Sequence, residues 1–573
     1  MVYDDKKLGT ELNLALNTPL NELNKSLDLG IGYDEEFDEW ELIIRYIGSL
    51  SEISSKIGFE YTELLNGYAI IRIKSEKIDE LSNNPEIIFI EKPKGLYFEQ
   101  RENIEGFNES CMNYVNIPPY NLTGKEVLVA VIDSGIDYRH PAFISSVNPN
   151  RLKSKIYGIW DQTIYGNPPD GFNFGSYFSN EDIENAINDE GDSFVITNDI
   201  SGHGTGVASI ISACAKDVRL LIVKLNNTDK VSENQFTKTT SLMSAIDFCI
   251  REAININLPL VINLSLGNNY GDHNSNSVVE NYINSVANIY KLSFVIGTGN
   301  DGNTDRHAQI MLGNTSMSQI DFLTGPFETA INLQIWRSFT DVIDISLITP
   351  SGREIGPFNK YQEVMDFVLS NMYINVLNGY PTPINKNQET YISIIPKETY
   401  IEEGIWKILI RPRSISDGRV DVWLPVSGST SSDVRFLKPS EYTTLTIPST
   451  AIYAISVGAY NQRTLSYAAF SGRGYTTTGI IKPEISAPGV NITVAIPGGG
   501  YGVASGTSFA APFVSAGVAM LMQWGITDGN DPFLYGEKVK AYIINGARKL
   551  PGYKFWPNPY LGYGALCVSD SIP

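Results

Sequence analysis

At 573 residues the chain exceeds one compact core, since a domain takes roughly 100–200 residues, and three or four folding units are expected. A net charge of −21 argues against a nucleic-acid binder and against docking on anionic membranes through a basic surface. With 42% hydrophobic and 19% charged residues, disorder along the whole length is excluded as well.

The first ten residues, MVYDDKKLGT, lack the apolar stretch of a secretory signal, and no run of about 18 apolar residues offers a membrane span. The chain is therefore expected to stay in the compartment where it is made. Residues 1–38 are polar, acidic and weakly periodic, and read as a loosely ordered lead-in. From Trp40 the pattern tightens. Residues 40–47 (WELIIRYI) read as a strand, 50–57 as a helix, and 60–65 with 67–73 as a strand pair. A second helix over 75–81 and a strand over 86–91 complete a small ferredoxin-like α+β unit. Residues 94–110 (KGLYFEQRENIEGFNES) lose periodicity and mark a linker or a processing site.

Beyond Lys125, β-branched runs at 127–133, 218–225, 260–267 and 293–300 read as strands buried on both faces. Helices are expected between them at 204–213, 241–254 and 277–290. This alternation predicts βαβ units and a parallel sheet. From 306 to 440 it stops. Runs at 330–336, 342–348, 391–395, 405–411 and 419–425, separated by turn signals, predict an inserted all-β sandwich. The α/β texture returns at 451–460 and ends with helices over 508–524 and 534–546. The four cysteines, Cys111, Cys214, Cys249 and Cys567, are sparse and show no C-x-x-C spacing, so reduced thiols are expected.

Three short motifs carry chemistry. Asp133 ends a buried strand in V-I-D-S-G-I-D, where open α/β sheets place their ligand crevice. His203, in S-G-H-G-T-G, starts a helix among glycines and can act as a base near neutral pH. Ser508, in S-G-T-S-F-A-A-P, opens an apolar helix whose N-terminus offers N–H groups to an oxyanion. Asp, His and Ser form an acyl-transfer triad. The chain order Asp133, His203, Ser508 fits neither the chymotrypsin nor the α/β-hydrolase order.

That order and the motifs D-S-G-I-D, G-H-G-T and G-T-S-F-A-A-P resemble the signatures of subtilisin-like serine proteases over about 120–305 and 440–550. The resemblance implies that Asp133 orients His203, that His203 is the base and that Ser508 is the nucleophile. It implies an oxyanion hole from the Asn300 amide and the Ser508 N–H. Ser265, Leu266 and Gly267 would pair with the substrate backbone. With Gly297, Thr298 and Gly299 they would also line the pocket before the scissile bond.

The implied architecture is a subtilisin-like α/β parallel-sheet core in two parts, 99–305 and 441–573. A ferredoxin-like α+β propeptide (1–98) precedes it, and a jelly-roll-like all-β domain (306–440) is inserted. The resemblance also implies that the propeptide is an intramolecular chaperone whose tail lies in the cleft and is cut in the region of Tyr97, Phe98, Glu99 and Gln100. A propeptide and a β-insert without an export signal resemble the Csp proteases of clostridial spores. The implied partners are the chain's own cut propeptide, retained in the cleft, and a protein substrate, a cortex-lytic zymogen activated during germination. Packaging in the cortex or coat region of the spore would follow.

No cofactor and no metal are expected. The carboxylates of 180–192 match no EF-hand spacing and read as a solvated surface. Asp137 is expected to be a turn residue and His140 structural, while His273 and His307 are expected to be solvated or to stand behind the site. A protease-like fold retained as a non-catalytic sensor or scaffold is the alternative from another class. A general intracellular subtilase is a third reading.

Overall fold

The computed structural model describes residues 6–26, 28–98, 108–148, 151–188, 194–226, 236–359 and 363–573. Its centre is a nine-stranded sheet whose middle strands run parallel. They follow the order Ile156–Asp161, Arg219–Lys224, Leu128–Asp133, Leu260–Leu264, Leu292–Gly297 and Ile455–Asn461. Side chains alternate along each strand. Val129 and Val131 join the helices His203–Cys214 and Thr507–Met522 on one face. Leu128, Ala130 and Ile132 join Thr239–Asn255 and Val278–Val286 on the other. Burial on both faces accounts for the unbroken apolar runs in the sequence. Among the described residues, the one helix long and apolar enough to cross a membrane, Thr507–Thr527, is buried inside this core.

The strand–helix–strand–strand–helix–strand unit forms as read: Glu39–Tyr46, Leu50–Ile57, Glu60–Leu64, Tyr68–Lys74, Ile78–Ser82 and Ile87–Glu91. The Ser49 hydroxyl caps its first helix by accepting from the Glu52 N–H, and Gly58, left-handed, ends it. One sheet face packs on these two helices. The other rests on the core, where Tyr68 meets Tyr282 edge-on at 5.3 Å.

Residues 307–436 form two antiparallel sheets, of six and five strands, that enclose an apolar cluster of their own. The inserted sandwich is therefore present. Its five core runs fall in the strands Ile331–Ser338, Val342–Ile348, Asn387–Pro396, Gly404–Ser414 and Arg419–Trp423.

Four expectations are corrected. The lead-in is not loose: Thr10–Asn17 and Leu20–Leu23 are helices. Their polar residues are buried with partners. Glu11 meets Lys92 and Lys94 and accepts from Gln334, and Glu22 accepts from Asn375. The linker 94–110 begins with a strand, Gly95–Phe98. Cys111 and Cys567 are joined in a disulfide, while Cys214 and Cys249 are buried free thiols. Finally, His273 and His307 are buried rather than solvated. They stack on opposite sides of a seam against the Trp423 indole, at 4.2 and 4.6 Å. His273 lies between the carbonyls of Leu445 and Asn269, and His307 between the Tyr442 carbonyl and Asp421.

Candidate active site

Asp133 sits at the C-terminal end of its strand, and His203 opens its helix, both fully buried. His203 Nδ1 lies 2.6 Å from Asp133 Oδ1, which also accepts from the Ser134 N–H at 2.8 Å. The contact depends on glycine. A side chain at Gly204 would strike the Gly135 carbonyl and the Asp133 Cβ, so only hydrogen lets helix and strand come this close.

Asp199 fixes the helix start. Its carboxylate accepts from the N–H groups of Gly202 and Thr205 and from the hydroxyls of Ser134, Ser201 and Thr205. The motif reading did not single it out. The signal was there: an acidic residue just ahead of a glycine-started helix is a capping pattern.

Ser508 is the second residue of its helix, entered through Gly506 at φ +152°. Pro512 lies four residues on and has no N–H, so the Ser508 carbonyl lacks its helical donor. The Ser265 hydroxyl takes that place at 3.1 Å, and the Ser508 hydroxyl donates back to the Ser265 carbonyl at 3.3 Å. Ser508 and the Ser265–Gly267 segment are thereby stitched together. The ring of Phe509 packs on His203, with centroids 5.5 Å apart, and brings the two helix starts into one place.

Asn300 is turned by its own carbonyl oxygen, which accepts from the Thr507 N–H at 3.0 Å and from the Thr507 hydroxyl. Its Nδ2 is buried and has no hydrogen-bond partner among the described residues. A buried donor without a partner is costly unless something is to be bound there. Gly299 donates to the Thr507 hydroxyl at 3.1 Å, and a Cβ on Gly297 would press on Thr507. Behind the cleft, side chains on Gly267 or Gly299 would both strike Thr446, a residue that sequence reading missed.

The cleft is occupied. Gly95–Phe98 is the middle strand of a three-stranded antiparallel sheet. On one side Leu96 and Gly95 pair with Thr237 and Lys238. On the other, Tyr97 and Phe98 pair with Gly267 and Leu266. The Asn268 side chain also holds the Gly95 carbonyl at 2.8 Å. Burial drives the Tyr97 phenol well above its ordinary pKa. Glu99 and Gln100 lie outside the described residues.

The remaining candidates stand apart from this chemistry. His140 contacts the Gly500 carbonyl through Nε2, and its Nδ1 accepts from the Ala142 N–H. Asp137 accepts from the Arg139 and Gly498 N–H groups, a turn role. Part of the acidic segment is the helix Asn180–Asn188, in which Glu184 pairs with Lys153. Residues 189–193 lie outside the described residues.

Comparison with known proteins agrees with this geometry. A Csp protease B prodomain model matches residues 6–94, and a subtilase family model matches residues 124–369 and 430–564. The solved structure of the CspB protease of Clostridium perfringens superposes with a TM-score of 0.75 and 34% identity, covering 81% of this chain and 96% of that one. The PIII-type proteinase of Lactococcus lactis subsp. cremoris is 24% identical over 74% of this chain, which spans only 23% of that relative. The minor extracellular protease Vpr of Bacillus subtilis is 36% identical over 118 residues, 18% of this chain and 13% of Vpr. A Csp-type prodomain ahead of a split parallel-sheet core, with its tail in the cleft beside Asp133, His203 and Ser508, places this chain in the subtilase family, among the CspB-type proteases.

Proposed function

We propose that the chain is a serine endopeptidase that cuts its own prodomain near residues 97–100 and then makes limited cuts in a protein substrate. The observation that carries this reading is the tail strand Gly95–Phe98, paired on both edges in the cleft that holds Ser508. It is bound as a substrate backbone would be.

In the proposed reaction the Ser508 hydroxyl leaves the Ser265 carbonyl and gives its proton to His203 Nε2. The Ser508 oxygen then attacks the scissile carbonyl. Asp133 holds Nδ1 and stabilises the imidazolium. The tetrahedral oxyanion takes hydrogen bonds from Asn300 Nδ2 and the Ser508 N–H. His203 returns the proton to the leaving amine, and water repeats the sequence on the acyl-enzyme.

Expression of Ser508→Ala beside the wild type tests this. The wild type should split near residue 98, and the variant should stay at full length. A variant that splits equally overturns the reading and leaves a non-catalytic scaffold.

The Csp-type prodomain and the 34%-identical clostridial structure support a narrower proposal. The substrate is a cortex-lytic zymogen cut during germination, and the protease is packaged in the spore with its prodomain still in the cleft. Incubating the purified chain with such a zymogen should give a single clipped product. Random degradation, or none, would count against that role.

A further inference from the structure

Successive residues of a strand point to opposite faces. In the tail strand, Leu96 is fully buried in the core beneath it, in one cluster with Met243, Leu264 and Leu266. Tyr97 leaves the strand on the outer face, yet it is only 7% exposed. Its ring lies against Phe236, with centroids 5.9 Å apart, and in one cluster with Ile31 and Val426. The Ser429 side chain hydrogen-bonds to its phenol.

Val426 and Ser429 belong to the loop that joins two strands of the insert, Arg419–Trp423 and Arg435–Phe436. This loop is held from within. Arg306, 2% exposed, donates to the carbonyls of Pro425 and Ser431 at 3.4 and 2.8 Å and to the Thr430 hydroxyl. The Ser427 N–H donates to Asp301, the neighbour of Asn300, at 3.2 Å. Asn269 holds the Leu424 carbonyl at 3.3 Å. A wall fixed by buried hydrogen bonds does not need ordering when a ligand arrives, which favours selective binding.

We infer that the 424–431 loop of the insert is a specificity-determining element: with Phe236 it builds a subsite for an aromatic side chain at the substrate position that pairs with Gly267, on the face opposite Leu96. This rests on the endopeptidase reading above. Phe236, Val426 and Ser429 belong to the enzyme and receive the side chain of any bound strand. Ile31 belongs to the prodomain, so the chain's own tail has one wall that an incoming substrate lacks. The insert thus reads the outer face of the strand, while the parallel-sheet core reads the inner one.

Two experiments decide it. Internally quenched peptides copying 94–103 (KGLYFEQREN), with the tyrosine kept or replaced by Phe, Ala or Asp, are assayed with the processed wild-type chain. Tyr and Phe should perform alike, and Ala and Asp should lose about tenfold or more in kcat/KM, the loss expected on emptying a buried aromatic site. Equal cleavage of all four overturns the subsite.

In the full chain, Val426→Trp fills the space and should slow self-cleavage by about tenfold, and adding Tyr97→Ala should restore most of the rate through a size exchange. A double variant slower than Val426→Trp alone overturns the proposal. Thermal melting of each variant separates a blocked subsite from a misfolded chain. If Val426→Trp does not fold, Phe236→Ala takes its place, and the tenfold loss from the Tyr to the Ala peptide should then shrink; an unchanged ratio overturns the proposal. Peptide cleavage that persists in Ser508→Ala would instead refute the endopeptidase reading, a result that none of the subsite outcomes imitates.

Discussion

Gly204 and Asn300 show how much of this site rests on single atoms. Gly204→Ala adds a methyl where the Gly135 carbonyl and Asp133 already stand, so His203 must move away from Asp133. A displacement of about 1 Å in a catalytic group costs on the order of 10²-fold in rate. Self-cleavage followed over time should slow by that order while the fold persists. Asn300→Ala removes the buried Nδ2 donor, and kcat should fall by about 10²–10³ with KM little changed. It also takes the acceptor from the Thr507 N–H, so the melting temperature should drop modestly; steady-state kinetics and calorimetry read the two effects separately. Asp199 differs from both. It touches no reacting atom, and its substitution should loosen the start of the His203 helix.

At the scale of elements, the seam between insert and core carries a pH dependence. Burial and the neighbouring His307 push His273 down to about 4, against the pull of the two carbonyls beside it and of Asp421. The folded state thus refuses a proton that the unfolded chain accepts near its ordinary pKa of about 6.5. The stability tied to a neutral His273 is complete above 6.5 and is lost as pH falls from there toward 4. His273→Gln should flatten the decline in melting temperature over that window relative to the wild type. An unchanged slope would remove His273 as its source.

The same elements mark what the sequence made legible. Leu50–Ile57 was readable because its cap Ser49, its stop Gly58 and its buried residues Leu50, Ile53 and Ile57 are all local. The parallel strands were readable for a similar reason: burial on both faces leaves unbroken apolar runs. Thr10–Asn17 was not, because Glu11 and Asn13 are buried there and look solvated until Lys92, Lys94 and Gln334 are seen beside Glu11. The tail strand failed in the same way, since its partners at 237–238 and 266–267 are distant in the chain. His273 resembles a loop residue because the Trp423 ring it stacks on arrives from the insert, and His307 because Trp423, its partner on the neighbouring strand, is distant in the chain. Among the site residues, the ones missed were Asp199 and Thr446, which act on motif residues and carry no motif themselves.

For the whole molecule, the Cys111–Cys567 disulfide spans 456 positions. Its two ends are also joined by the Val568 N–H to the Ser110 carbonyl, at 3.0 Å. Both meet the back of the Ser508 helix, where a side chain on Gly517 would press on Val568 and touch Met112. Cross-links closing long loops typically contribute about 2–4 kcal/mol. The double variant Cys111→Ser/Cys567→Ser should unfold at correspondingly lower urea, and reductant should shift the wild type the same way. A reductant-insensitive midpoint would show that the bond contributes nothing.

That bond also changes what kind of object the chain is. With the cut proposed near residue 98, everything from Cys111 to Cys567 would remain one closed covalent ring. A machine that degrades proteins by pulling on an end meets a knot of its own making, because each pull drags two strands at once. The weak point is then chemical rather than mechanical: a thiol that opens the bond returns the ring to a thread.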